Sequence, residues 1–324
     1  MGLIGSLHLT LSDHIKRMTP DGSIERDIVE ISEQLNPILN YMPAIEGNLT
    51  TGNRAVIRTD MPGVAWTAIG QPVFPGKSGT KQVDDTTAKA EALCHIPKDL
   101  AALNGNTAAF RFSEQIPFIE AMNQEIATAM VYHNSALDPK KPLGLSPRYS
   151  TLATSNVYDG GDRSALAVTS LWLACLSPLT FYAIFPKGIP GGLQHMSEEN
   201  PKTYGSDAAG FTRVYEDWYE WNIGWQLKDW RYVMRYCNLA TTGSANTVDP
   251  EVLNAMYRQL PNPNMGRVVW ICNRTIATQF DNAAMNKVNA MFTVGEEFGQ
   301  PVTKYRGFPV VVCDAILDTE AVVL

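Results

Sequence analysis

The run "GQPVFPGKSGT", residues 70–80, brings a glycine, a lysine and a serine together, the residue types that cradle nucleotide phosphates. Such a loop needs four residues between its two glycines, so that successive backbone N–H groups curl around the β-phosphate and the lysine reaches the outer oxygens. Counting back from Gly76 puts Gln71 where the first glycine belongs. Gly70 comes one residue too early, and Pro75 removes a donor from the turn. The context fails as well: the motif follows a buried strand and opens a helix, whereas Pro62 and Gly63 break the approach and "KSGTKQVDDTT" stays polar. Lys77 is therefore read as a surface lysine of an extended segment, and no nucleotide is expected there.

Other chemistry-bearing residue types are dispersed. His8, His14, His95, His133 and His195 fall in five separate segments, so no metal site is expected. Cys94, Cys175, Cys237, Cys272 and Cys313 are scattered without a C-x-x-C pair, which reads as reduced thiols and neither a zinc site nor a disulfide frame. There is no G-x-S-x-G nucleophile elbow. Asp84 and Asp85 lie in a polar stretch where solvated charge is the default reading. No catalytic residue and no cofactor is assigned.

The aromatic cluster is less easily set aside. Trp218, Trp221, Trp225 and Trp230 sit in "RVYEDWYEWNIGWQLKDWRYVMRYCN" beside Arg213, Arg231 and Arg235. Aromatics interleaved with arginine can stack single-stranded bases, but Glu216, Asp217, Glu220 and Asp229 cancel the positive field such a groove requires. Strands with one aromatic face packed in a core or an interface fit better. A soluble β-rich binding module that uses this cluster for a ligand is the alternative.

Composition narrows the classes further. Lysine and arginine number 26 against 33 aspartates and glutamates, a net charge of −7, so the surface as a whole repels nucleic acid and any DNA contact must be local. The opening "MGLIGS" matches a myristoylation pattern over only six positions. Residues 164–186 carry no charge and are long enough to cross a bilayer. They are also rich in Ser, Thr, β-branched and aromatic residues and are cut by "LSP" at 176–178, the pattern of two buried strands joined by a turn. No membrane association is expected.

Helical patterns run over 12–18 and 23–41, with Ser12 and Ser23 as caps and Ile24, Ile28, Ile31 and Leu35 recurring at three and four, until Pro37 kinks or ends the second. Residues 48–97 hold too few core-forming positions for so long an internal loop. They read as a β-hairpin arm that orders against another molecule through Trp66 and Phe74. The clearest helix is 114–133, capped by Ser113, with Pro117 in its first turn and Ile119, Met122, Ile126, Ala129, Met130 and His133 on one face. A strand-rich region over 164–240, helices at 249–260 and 273–291, and strands in the last segment complete an α+β pattern.

Four runs in order, "FPKGIPGGLQHM" (185–196), "EWNIGWQLKDWRYVMRYCNL" (220–239), "NRTIATQFD" (273–281) and "YRGFPVVVCDAIL" (305–317), resemble the major capsid proteins of tailed bacteriophages, in the branch of short-tailed phages related to epsilon 15 and the Bordetella phage. The resemblance implies the Hong Kong 97-like fold, with an N-terminal arm (1–47), an extended loop reaching a neighbouring subunit (48–97), a peripheral domain (98–160 and 292–324) with the 114–133 helix as its spine, and an axial domain (161–291). It implies inter-subunit contacts through Trp66, Phe74 and Lys77 of the loop, and an axial core or interface through Trp218, Trp221, Trp225, Trp230 and Arg231. The implied function is self-assembly into hexamers and pentamers of an icosahedral shell around packaged double-stranded DNA held by non-specific contact, in the host bacterial cytoplasm, with no enzymatic activity. The implied partners are a portal, a decoration or cement protein and, since the chain starts at the arm without a long helical prefix, a separate scaffolding protein.

Overall fold

A computed structural model of the chain describes residues 36–103, 107–163, 167–206, 210–243, 245–285, 292–297 and 300–324. The helix expected over 12–18, and most of that over 23–41, lie outside these residues. After Pro37 there is a single turn, α1 (Ile38–Tyr41). In chain order follow β1 (Ala44–Glu46), β2 (Gly52–Arg58), β3 (Thr80–Pro97), α2 (Lys98–Ala102), α3 (Thr107–Tyr132), β4 (Val157–Asp159), β5 (Val168–Leu176), β6 (Phe181–Phe185), β7 (Leu193–Ser197), β8 (Lys202–Ser206), β9 (Gly210–Leu227), β10 (Val233–Ala240), α4 (Pro250–Gln259), β11 (Arg267–Cys272), α5 (Arg274–Met285), β12 (Phe292–Glu297), β13 (Gln300–Tyr305) and β14 (Phe308–Val312). Helices interleave with strands that pair mostly antiparallel, which makes the class α+β.

The chain forms two compact units. One comprises Lys89–Ile126 and Gly192–Asn222 among the described residues; the other comprises Leu35–Ala88, Ala127–Gly191 and Ile223–Leu324.

In the larger unit β5 lies between β10 and β11, antiparallel to both, and β14 continues the sheet parallel to β11. All nine residues of β5 and all eight of β10 are buried, so these strands are covered on both faces and read as near-continuous apolar runs. Alternation sorts their side chains. Leu171, Leu173 and Cys175 of β5, Met234 and Tyr236 of β10 and Val268, Trp270 and Cys272 of β11 form one core with Leu253 and Met256 of α4 and Ile276 and Phe280 of α5. The uncharged 164–186 segment resolves into β5 and β6, joined by a turn in which Thr180 donates its backbone N–H to the Ser177 carbonyl at 3.0 Å. Asp249 caps α4 by accepting from the Glu251 N–H at 2.8 Å, and the Asn273 side chain caps α5 through the Ile276 N–H at 3.0 Å. Of the last segment Tyr305, at the end of β13, and β14 pair as strands; after Val312 the chain runs as an irregular tail.

That tail is fastened to β10. Glu320 pairs with Arg235 at 2.9 Å, both side chains being buried. Asn238, held at φ 56°, donates to the Val323 carbonyl at 2.9 Å and accepts from the Val323 N–H at 2.9 Å, so one amide side chain pairs the tail as a strand would.

In the smaller unit Cys94 and Ile96 of β3, Leu100 and Ala101 of α2, Phe110 of α3 and Tyr219 of β9 form the core. Beside it Asp217 is fully buried and accepts from Arg111 at 2.9 Å, and the His195 ring stacks on Tyr219 at 4.6 Å.

The long helix departs from expectation at its start. It begins at Thr107, not 114, and its 26 residues span about 39 Å. Ser113 is therefore no cap; its hydroxyl donates to the Phe110 carbonyl at 2.8 Å within the helix. Pro117 sits well inside, where its ring costs one backbone hydrogen bond. Pro117 itself is exposed, so its ring displaces no core side chain. Met122, Ile126, Ala129 and Met130 are buried as the periodicity predicts, whereas Ile119 is exposed.

All five cysteines are free and buried. Burial pushes the Cys94 thiol up to about 12, helped by the charge of Asp217, and pushes Cys237 and Cys313 up to about 11. Since the thiolate is the reactive species, the native chain is expected to leave a disulfide-exchange reagent essentially unreacted at pH 8 and to release five equivalents in denaturant. One rapidly reacting native thiol would contradict the burial.

Candidate assembly surface

Residues 48–97 are divided between a fixed root and a bare tip. The root is a seven-pair antiparallel ladder from Gly52↔Thr86 to Arg58↔Thr80. Only glycine fits at position 52, because a Cβ there would stand 2.2 Å from the Asp85 carbonyl oxygen. The Asn48 side chain ties the entry: it donates to the Arg54 carbonyl and accepts from the Arg54 N–H, both at 2.8 Å. Across the ladder Arg54 and Asp84 stand opposite one another and pair in a fork at 2.7 and 2.6 Å, and this guanidinium holds the Asp84 carboxyl below its ordinary value. Both side chains are half exposed, so the pair does more for register than for stability.

Asp85 corrects the expectation of a solvated pair. Successive residues of a strand face opposite sides, so while Asp84 meets water, Asp85 points inward and is buried. Its carboxylate accepts from Arg148 at 2.7 Å and from the Leu227 N–H at 3.3 Å. Arg148 also donates to the carbonyls of Gly144, Leu143 and Trp225 at 3.2–3.3 Å. Nearby, Asn53 donates to the Tyr182 hydroxyl at 3.1 Å and to the Gln226 side chain. The root thus belongs to its own subunit's sheet, contrary to the expectation that the whole of 48–97 lacks a home there. What replaces apolar burial is a buried charge with a full set of hydrogen bonds.

Beyond Arg58 and Thr80 the chain leaves regular structure. Thr59 donates to the Gly79 carbonyl at 3.0 Å and closes the mouth; Gly70, at φ 89°, makes the turn. Trp66 and Ile69 are fully exposed, Phe74 is 85% exposed, and Met61 and Val64 are nearly as bare. No charged residue occurs between Asp60 and Lys77. Lys77 lies exposed, and the segment runs on into strand β3 with no helix behind it, so the structural context of a phosphate loop is missing here.

The tryptophan cluster is split. Trp218 and Trp221 lie half-buried on the part of β9 that belongs to the smaller unit, opposite Met196 and Leu193 of β7. Trp225 is buried in the larger unit, where Trp230 is half exposed and Arg231 exposed. Arg231 forks onto Asp229 at 3.0 and 2.8 Å, and Arg235 is committed to Glu320, so these arginines are matched by carboxylates of the same subunit. Sequence reasoning missed Arg148, Asp85 and Glu320. Among the described residues no group of His, Cys, Asp and Glu is placed to hold a metal ion, and no helix is long and apolar enough to cross a membrane.

The chain's overall architecture is shared with known proteins. The family model for major capsid protein GP7 matches residues 19–324. A chain of the bacteriophage Epsilon15 structure aligns with a TM-score of 0.76 at 26% identity, covering 100% of this chain and 99% of that one. The bacteriophage JBD30 capsid protein aligns with a TM-score of 0.50 at 10% identity over 88% and 91% of the two chains, a likeness of fold alone. No curated protein matches the sequence. The α+β architecture is the Hong Kong 97-like capsid fold, and over nearly its whole length the chain belongs to the GP7 family of major capsid proteins.

Proposed function

We propose that this capsid protein closes the icosahedral shell of a tailed phage chiefly by laying residues 59–79 of each subunit onto a neighbour. The observation that carries this reading is the tip: sixteen uncharged residues, 61–76, that hold Trp66, Ile69 and Phe74 in water while their root is tied down. Exposed apolar surface of this kind marks an interaction site, and a repeated subunit provides the same contact at every equivalent position. Hexamers and pentamers built in this way would enclose double-stranded DNA. With a net charge of −7, the shell would touch that DNA through local, sequence-independent contacts only. A portal, a decoration protein and a separate scaffolding protein are the further partners of this reading, with assembly in the bacterial cytoplasm. The peripheral and axial domains follow the boundaries given above, with α3 as the spine.

Hydrogen exchange on free subunits and on assembled particles tests the loop. The root, already paired in the subunit, is expected to be slow in both states, and 59–79 to slow by at least tenfold on assembly. Equal exchange of 59–79 in the two states would remove the loop from the interface.

A further inference from the structure

We propose that the tip of one copy seats in a cleft at the loop root of a second copy, so that each subunit carries both a plug and its socket; this rests on the reading of 59–79 as a contact between subunits. The cleft, of about 630 Å³, opens between Val56–Met61 on one side and Leu179 with Lys228–Arg231 on the other. Its chemistry selects an uncharged occupant. Arg231 is forked onto Asp229, and Lys228 donates to the Pro178 carbonyl at 2.9 Å and stands 4.9 Å from the Tyr182 ring centre. With Arg231 matched by Asp229 and the Lys228 ammonium turned onto the Pro178 carbonyl and the Tyr182 ring, the cleft presents Leu179, 61% exposed, and Trp230, 49% exposed. Arg58 and Asp60, on the opposite wall, are of opposite sign.

The tip has matching properties. Residues 61–76 carry no charge and include three prolines, Pro62, Pro72 and Pro75, which lower the entropy lost when the segment is held. An aromatic side chain buries about 150–250 Å², and pockets for small apolar ligands run to roughly 300–1,000 Å³, so the cleft admits an indole with a neighbouring side chain. The subunit does not fill it with its own plug: Trp66 is fully exposed and lies eight residues beyond Arg58, up to about 26 Å along an extended arm. Trp66 and Phe74 of the plug lie outside the socket, which shares with the docking segment only Thr59, Asp60 and Met61 at its mouth, so the contact is head-to-tail, the kind that closes into rings.

Oxidative footprinting of the two indoles, combined with two socket variants, tests the proposal. In free subunits Trp66 and Trp230 are both open to hydroxyl radicals; in particles both are expected to oxidise several-fold more slowly. Leu179→Glu, at an exposed turn, is expected to fold normally and to lose assembly at least tenfold. Trp230→Ala removes an indole but spares the backbone carbonyl that accepts from Tyr149 and Asn156, and is expected to lose assembly likewise. If Trp66 is protected in particles while Trp230 oxidises as in the free subunit, or if both variants assemble normally, the tip docks elsewhere; the socket is then overturned and the loop remains a contact. If Trp66 oxidises equally fast in both states, the socket and the loop contact fall together.

Discussion

Replacing Arg235 with leucine is expected to destabilise the subunit by about 3–5 kcal/mol, the cost of removing one partner of a buried ion pair. The guanidinium lies across the face of β5 opposite the main core, over the Trp172 ring at 5.1 Å, and donates to the Ser170 hydroxyl at 3.0 Å, the Tyr149 carbonyl at 2.9 Å and Glu320 at 2.9 Å. Glu320 keeps Ser170 and Tyr132 as hydroxyl donors, but neither brings positive charge, so its carboxylate would be left buried and uncompensated. Burial, and then the charge of Glu320, raise the Tyr132 phenol, so that hydroxyl stays protonated and available as a donor. The double variant Arg235→Leu with Glu320→Leu removes both charges and is expected to recover a large part of the loss. Urea midpoints at unchanged slope would measure both. A single variant within about 1 kcal/mol of the parent, the ordinary effect of one neutral hydrogen bond, would contradict the arrangement.

Trp66→Ala combined with Phe74→Ala is expected to behave oppositely, leaving the subunit untouched and removing the shell. Both side chains stand in solvent, and substitutions at such sites change folding stability by no more than about 0.5 kcal/mol. In the assembly each buried aromatic contributes about 1.5–3 kcal/mol, and each 1.4 kcal/mol is tenfold in an equilibrium constant. Losing both, about 3–6 kcal/mol, raises the concentration needed for assembly about a hundredfold to ten-thousandfold, and more where one subunit makes several contacts. Circular dichroism and urea midpoints would match the parent, while sedimentation would find subunits or small rings in place of particles. Parental yields of particles would refute the contact.

The parts of this fold legible from sequence were those where local chemistry settles the matter. An uncharged run cut by "LSP" has few ways to fold, and β5 and β6 are what it forms. The bare tip was legible because Trp66 and Phe74 stand among glycines and prolines that cannot give them a core. The start of α3 was misjudged because Pro117 looks like a first-turn residue, although the helix carries it ten residues in at an exposed position. The root of the loop was misjudged for a deeper reason. Its buried positions are Gly52, Ala55 and Asp85, small or polar residues without a hydrophobic signature, and the charge that makes Asp85 tolerable comes from Arg148, 63 residues away. Arg235 left half a clue. A lone charge in the otherwise apolar and neutral "VMRYCNLA" must be paired if buried, yet nothing local points to Glu320. Carboxylates drawn from distant segments are specified by the tertiary fold, and periodicity says nothing about them.

The way the loop root is tied down also sets how the subunit bears mechanical load. A pull on the tip draws β2 and β3 in the same direction, so the ladder between them feels little shear and tension arrives at the root. There it meets Asp85, and through Arg148 it spreads to the carbonyls of Leu143, Gly144 and Trp225. β3 itself is a single uninterrupted strand of 18 residues, about 60 Å long, a tie-rod with its anchor a third of the way along. A shell under internal pressure strains its contacts outward, and in such a shell the Asp85–Arg148 pair would be a rivet whose value lies in rupture force, a quantity that equilibrium unfolding does not register.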